Sequence, residues 1–213
     1  MMDKKEHWEN VFATKTEKEV SWYQEYPQTS VDFFKTLQLP LDSEIIDVGG
    51  GDSYFIDALL ALGYTNLTLL DISGNAIARI KKRLGDKAKF VTFIESDILD
   101  FNPAKKYLFW HDRACFHFLT ETVQIEKYAD IVDKALDKGG RIFIGAFSTE
   151  GPKKCSGLDI KQYSMESLRF VFEKEFQLEG CFIENHKTPF DTVQNFIFCG
   201  FERKKITKEP TLK

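Results

Sequence analysis

The chain predicts an α/β fold: a doubly wound, mostly parallel sheet with helices on both faces, ending in an antiparallel pair of strands. Three observations predict it. Short runs of branched apolar residues alternate with stretches of helical period between residues 44 and 147. The first run, Ile45-Ile46-Asp47-Val48, passes directly into Gly49, Gly50 and Gly51. Two long apolar runs at 176–185 and 192–203 are joined by a short link with Pro189 and Asp191, which suits a hairpin.

Residues 1–43 read as a helical extension in two pieces around Trp22-Tyr23-Gln24. The first carries Trp8, Val11 and Phe12. The second runs from about Gln28 through Val31, Phe34 and Leu37 and stops at Pro40. The glycine turn at Gly49–Gly51 follows the first strand because the chain must bend sharply and let a ligand reach its backbone, which a Cβ would block. Phe55, Ile56, Leu59 and Leu60 then mark a helix that Gly63 closes.

The second strand, 67–70, ends in Asp71, twenty residues after Gly51. An acid there is placed to hold a pair of ribose hydroxyls. Ser73 is a natural N-cap for a helix carrying Ala76, Ile77, Ile80 and Leu84, which ends at Gly85. A third strand at 89–94 leads into a loop with Glu95, Ser96, Asp97 and Ile98. The fourth, 106–110, precedes His111-Asp112-Arg113-Ala114-Cys115-Phe116-His117.

Thr120 is expected to cap a helix whose Ile125, Tyr128, Val132 and Ala135 share one face, with Lys138-Gly139-Gly140 as its stop. The fifth strand is 141–147. A loop over 148–162 and a helix over 164–174 precede the closing pair, and a polar tail occupies 204–213.

Composition excludes several classes. A net charge of −4 with a pI of about 5.7 argues against nucleic-acid binding. No apolar run reaches membrane-spanning length, and the polar start is not a signal peptide. Cys115, Cys155, Cys181 and Cys199 lack metal-ligand spacing. They predict reduced thiols in a cytoplasmic protein and no metal site. Nothing in the sequence addresses oligomeric state.

Taken together, Asp47-Val48-Gly49-Gly50-Gly51, Asp71 and Asp97 resemble the motifs of the class I S-adenosylmethionine-dependent methyltransferases, and the resemblance covers roughly residues 44–203. It implies a Rossmann-like, seven-stranded, mostly parallel sheet with a C-terminal antiparallel pair, and one domain over 44–203. It also implies S-adenosyl-L-methionine as cofactor. The cofactor-binding residues implied are Trp22, Asp47, Gly49, Gly50, Gly51, Asp71, Ile72, Asp97, Ile98 and His111, with Asp71 on the ribose and Asp97 on the adenine. Strings such as Trp22-Tyr23-Gln24 and Trp110-His111-Asp112-Arg113-Ala114-Cys115-Phe116-His117 are similar to generic bacterial methyltransferases. The Trp-Tyr element is also similar to methyltransferase-like protein-lysine enzymes. Ser53 departs from the pattern, standing where many members have a third glycine.

The implied reaction is an in-line methyl transfer to a small-molecule or protein side-chain acceptor, which needs alignment and water exclusion more than a metal or covalent nucleophile. His111, Arg113 and His117 are the catalytic candidates: two bases and a guanidinium suited to a carboxylate. Tyr23, Arg113, Cys155 and Tyr163 are the acceptor-side candidates. Ordinary structural roles compete for each: a core histidine at His117, a buried filler at Cys115, core packing at Trp22 and Tyr23. Two other functions share the glycine turn and strand-end acid. One is a nicotinamide-dependent oxidoreductase, whose third glycine is missing here; the other is a non-catalytic binding module.

Overall fold

The computed structural model describes residues 3–205. Residues 206–213, most of the expected polar tail, lie outside the described residues.

The N-terminal extension supplies α1 (Lys4–Thr14) and α2 (Gln28–Thr36). Asp3 caps α1 by accepting the Lys5 N–H. The alternating segment follows: β1 (Ile45–Val48), α3 (Phe55–Ala61), β2 (Leu67–Asp71), α4 (Gly74–Leu84), β3 (Val91–Glu95), β4 (Tyr107–Arg113), α5 (Thr122–Ala135) and β5 (Leu136–Phe147). A two-residue pair, β6 (Lys154–Cys155) and β7 (Leu158–Asp159), precedes α6 (Met165–Phe172), β8 (Phe176–Lys187) and β9 (Val193–Arg203).

The main sheet has the order β3-β2-β1-β4-β5-β9-β8. The first five of these strands pair in parallel, and β9 runs antiparallel to both β5 and β8. The strand order reverses beside β1, so a crevice opens between the carboxyl ends of β1 and β4.

Both faces of the sheet are covered, and strand alternation sorts the aromatic residues between them. Trp110 and Ile144 face a core with Phe116, Tyr128, Val132 and Phe172. Phe109 and Phe143 face the other, with Phe34, Phe55, Leu69 and Phe198. Phe143 lies parallel to Phe33 at 4.1 Å and to Phe198 at 5.4 Å, so α2 seals this face by aromatic stacking.

Several expectations are corrected. β4 runs on through His111, Asp112 and Arg113, past the expected end at residue 110. Glu121, not Thr120, caps α5, in a capping box with Gln124. Lys138-Gly139-Gly140 does not stop that helix. It ends at Ala135, and the two glycines lie inside β5, where the pairing with β4 shifts register between Tyr107 and Phe109. Gly139 takes φ +73° there. The loop after β5 contains the β6–β7 hairpin, turned by Ser156 (φ +50°) and Gly157 (φ +81°), both in the left-handed region that a two-residue turn requires.

The cysteines are also not all thiols. Cys181 and Cys199 stand opposite each other in β8 and β9, 4.2 Å apart at Cα, and are disulfide-bonded. Cys115 and Cys155 are free. Sequence spacing could not show this pair, because it depends on the hairpin register.

Candidate active site

At the carboxyl ends of β1, β2 and β4 lies a cavity whose lining includes Asp47, Gly49–Asp52, Asp71, Ile72, Asp97, Ile98, His111 and Arg113. α1 and the segment after it close the other side with Trp8, Phe12, Trp22 and Tyr23. Trp8 packs edge-on to Phe118 at 5.2 Å and to Trp22 at 5.7 Å, so the aromatic wall is one connected cluster.

The glycine turn is tight for stated reasons. Gly49 has φ +61°, and a Cβ there would come within 2.4 Å of Cys115 Cβ. A Cβ on Gly50 would meet Asp47 Oδ2 at 2.6 Å. Beneath the turn, Asp47 Oδ1 is 2.6 Å from His111 Nδ1, and His111 Nε2 is 2.8 Å from Ser30 Oγ on α2. A carboxylate only accepts, so Nδ1 carries the hydrogen in the first bond. Asp47 Oδ2 is buried and accepts from no protein group. Phe55 stacks on the His111 ring at 4.0 Å, holding it flat in this line.

Asp71 is buried at the tip of β2. Its Oδ2 accepts the Gly51 N–H and its Oδ1 the Ser73 N–H, both at 2.8 Å. Burial pushes its carboxyl up to about 7, against the pull of those two N–H bonds. Asp97 caps the short turn at Ile98–Asp100 by accepting the Leu99 N–H at 2.8 Å. Asp71 and Asp97 thus lie on adjacent strand ends and line the same cavity.

α1 is fastened to this site by Glu9. One of its oxygens accepts the Gly74 N–H, and the other accepts the Asn75 N–H and the Ser73 hydroxyl, all at 2.8–2.9 Å. Burial raises its carboxyl, but the donors outweigh burial and hold it below the usual carboxylate range.

On the β4 side, Asp112 points to the opposite face from Arg113 and does not pair with it. It accepts the Cys115 and Phe116 N–H groups and the Tyr128 hydroxyl, a capping role beneath the site. Burial raises its carboxyl to about 6 despite those donors. Arg113 Nη1 donates to the Trp22 carbonyl at 3.0 Å. Cys155 lines the cavity, and burial pushes its thiol up to about 12.

The structure does not bring every candidate together. His117 and Tyr163 are buried behind the cavity, outside its lining. His117 Nδ1 accepts the Phe147 N–H at 3.3 Å, and burial, with the nearby Arg113 charge, lowers it to about 3. Tyr163 packs on Phe116 at 5.0 Å, and its hydroxyl is raised by burial. Lys4, Tyr54, Ser96 and Phe118 line the cavity but were not legible as site residues. Trp8 and Phe12 gave a signal, an i, i+4 aromatic pair, that reads equally as core. Among the described residues, no group of three or more His, Cys, Asp and Glu is arranged to hold a metal.

A family model described as a methyltransferase domain matches residues 45–140, the stretch that holds the glycine turn, Asp71 and Asp97. Over that stretch the chain resembles methyltransferase domains, in line with the likeness of its motifs to the class I S-adenosylmethionine-dependent methyltransferases. It is 33% identical over 110 residues to malonyl-[acyl-carrier protein] O-methyltransferase 1 of Ilyobacter polytropus, covering 51% of this chain and 38% of that one. It is 29% identical over 123 residues to EEF1A lysine methyltransferase 2 of Mus musculus, covering 50% and 47%. The chain therefore spans less than two thirds of the length of these curated relatives. Among solved structures, one from work on the conversion of a disulfide bond into a thioacetal group during echinomycin biosynthesis aligns at a TM-score of 0.77 and 18% identity, covering 95% and 94%. The N-methyltransferase NodS of Bradyrhizobium japonicum, solved with S-adenosyl-L-homocysteine, aligns at 0.70 and 15%, covering 95% and 100%. At these identities the structural likeness establishes the methyltransferase fold.

Proposed function

We propose that the protein transfers a methyl group from S-adenosyl-L-methionine to a small-molecule or protein side-chain acceptor. The observation that carries this reading is that Gly49–Gly51, Asp71 and Asp97 line one cavity at the switch point of the sheet. The cavity's own chemistry fits the cofactor. A buried acceptor, Asp47 Oδ2, has no protein partner, and a Cβ on Gly50 would press on that same oxygen at 2.6 Å. When bound, the cofactor supplies a methyl group on a positively charged sulfur, ready for displacement by a nucleophile.

The chain's residues would do the rest. Asp71 would take the ribose hydroxyls and Asp97 the adenine amino group, and the faces of Trp22 and Tyr23, which line the same cavity, would stabilise the positive charge by about 0.5–2 kcal/mol each. Ile72 and Ile98, which line the cavity beside those acids, would pack against the adenosine. Asp47, with His111 held against it, presents its second oxygen to the cofactor's ammonium group. Residues 1–43 act as a lid on the domain spanning 44–203: Glu9 pins α1 to α4, and the lid's aromatic wall excludes water.

His117 is buried and electrically neutral near pH 7, and it does not line the cavity. The nearer imidazole, His111, is committed to Asp47 and Ser30. This favours acceptors that arrive already deprotonated. A carboxylate, as the malonyl relative's name suggests, meets that condition near pH 7; a protein lysine, as the EEF1A relative's name suggests, would have to lose its proton before reaching the site.

The test is to incubate the full chain with S-adenosyl-L-methionine carrying a tritiated methyl group and a bacterial lysate. The expected result is enzyme-dependent label in either the protein or the metabolite fraction. No label in either fraction, with S-adenosyl-L-homocysteine still bound, would favour a non-catalytic binding module.

A further inference from the structure

Arg113 is the least satisfied charged side chain of the site. Its Nη1 donates to the Trp22 carbonyl, and its guanidinium lies over the Phe196 ring, 5.0 Å from the centroid. Its Nε and Nη2 are buried and donate to nothing. These two nitrogens form one edge of the guanidinium, and their hydrogens point in parallel. That edge grips two oxygens of one carboxylate side by side. Among the described residues, none of the ion pairs involves Arg113. Glu184, whose charge acts on it, bonds instead to the Thr29 hydroxyl.

The neighbouring histidines give no second positive charge. Burial lowers His117 to about 3 and His186 to about 4, so both stand neutral beside the guanidinium. Burial also lowers Arg113 itself to about 10, a sign of a cation held away from water without a full partner. Arg113 lines the cavity together with Trp22, Tyr23, Pro27 and Cys155, a mostly apolar wall. The other cation of the lining, Lys4, points its ammonium at the Phe118 carbonyl. One free edge and one charge suit a single carboxylate; a phosphate dianion would need a second cation.

We propose that the free edge of Arg113 receives a carboxylate of the methyl acceptor, so that the acceptor class is an apolar molecule carrying one carboxylate. This rests on the methyltransferase reading. The same chemistry has a second source, the carboxylate of the cofactor's own methionine, and the experiment separates the two.

The full chain is saturated with S-adenosyl-L-homocysteine and titrated with phenylacetate and hexanoate, each against its amide, by calorimetry. At least one acid is expected to bind about tenfold or more tighter than its amide, the amide having lost the charge that strengthens the bidentate bond. Arg113→Gln is expected to abolish that preference and Arg113→Lys to retain only part of it, with S-adenosyl-L-homocysteine affinity kept in both. If neither acid outperforms its amide, or the preference survives Arg113→Gln, the proposal fails. Loss of S-adenosyl-L-homocysteine binding in the Arg113 variants would assign the edge to the cofactor and also overturn it. Should Arg113→Gln not fold, Arg113→Lys decides, because an ammonium cannot reproduce the fork; an unchanged preference there refutes the proposal. Failure of the unaltered protein to bind S-adenosyl-L-homocysteine would instead overturn the cofactor reading itself.

Discussion

Asp71→Asn separates the stability of the site from its function. Both oxygens of Asp71 accept backbone N–H groups, from Gly51 and Ser73 at 2.8 Å. Asparagine keeps one acceptor and turns an NH2 toward the other N–H, leaving buried donors face to face at about 1–3 kcal/mol. A second effect opposes this. Burial lifts the Asp71 carboxyl from 3.8 to about 7. At pH 8 that rise corresponds to about 4 kcal/mol of ionisation penalty, which the neutral amide removes. The relieved penalty exceeds the lost bond by about 1–3 kcal/mol, so the melting temperature at pH 8 should hold or rise by several degrees. Binding has no such compensation. Losing a charged acceptor for two hydroxyls should weaken S-adenosyl-L-homocysteine by roughly 1–3 kcal/mol, about 5- to 150-fold. Thermal melts and calorimetry at pH 8 report the two quantities independently. A folded variant with undiminished affinity would refute the ribose role of Asp71.

Three further outcomes are expected. Gly50→Ala places a methyl 2.6 Å from Asp47 Oδ2 and 3.0 Å from Leu69 Cδ1 without backbone strain; it should destabilise by about 1–3 kcal/mol and weaken S-adenosyl-L-homocysteine, and a melt and titration like the parent's would reduce the glycine to a plain turn. Glu9→Gln keeps the shape but removes the charge that caps α4; it should destabilise by roughly 0.5–2 kcal/mol and speed amide exchange across 4–14, and unchanged exchange would show that the lid is held elsewhere. The raised carboxyl of Asp71 sets a pH dependence. Between 3.8 and about 7 the folded protein keeps a proton that the unfolded chain has released, so the destabilisation from this group is full above pH 7 and fades below it. S-adenosyl-L-homocysteine needs the ionised form, so its affinity should fall about tenfold from pH 8 to pH 6, and this slope should vanish in Asp71→Asn. A slope that persists in the variant would place the titrating group elsewhere.

Much of the frame was legible because it depends on local rules. Strand, glycine turn and strand-end acid follow from period, φ and spacing, and they place Asp47, Gly49–Gly51, Asp71 and Asp97 together. What escaped depends on contacts between distant segments. The Glu9 clamp joins residues 65 positions apart, and the Ser30–His111 bond joins residues 81 apart. His117 read as a base because it stands in a run beside the crevice, but the chain turns at Ala114, with φ +70°, and sends that ring into the core. The Cys181–Cys199 bond and the Gly139 bulge depend on register, which no single segment encodes.

Calorimetric titration of the unaltered chain with S-adenosyl-L-homocysteine, with NADH as the comparison, bears most directly on the cofactor cradle. One-to-one binding of S-adenosyl-L-homocysteine at roughly micromolar affinity is expected, and none of NADH. No heat at millimolar S-adenosyl-L-homocysteine, or saturable binding of NADH in its place, would contradict it.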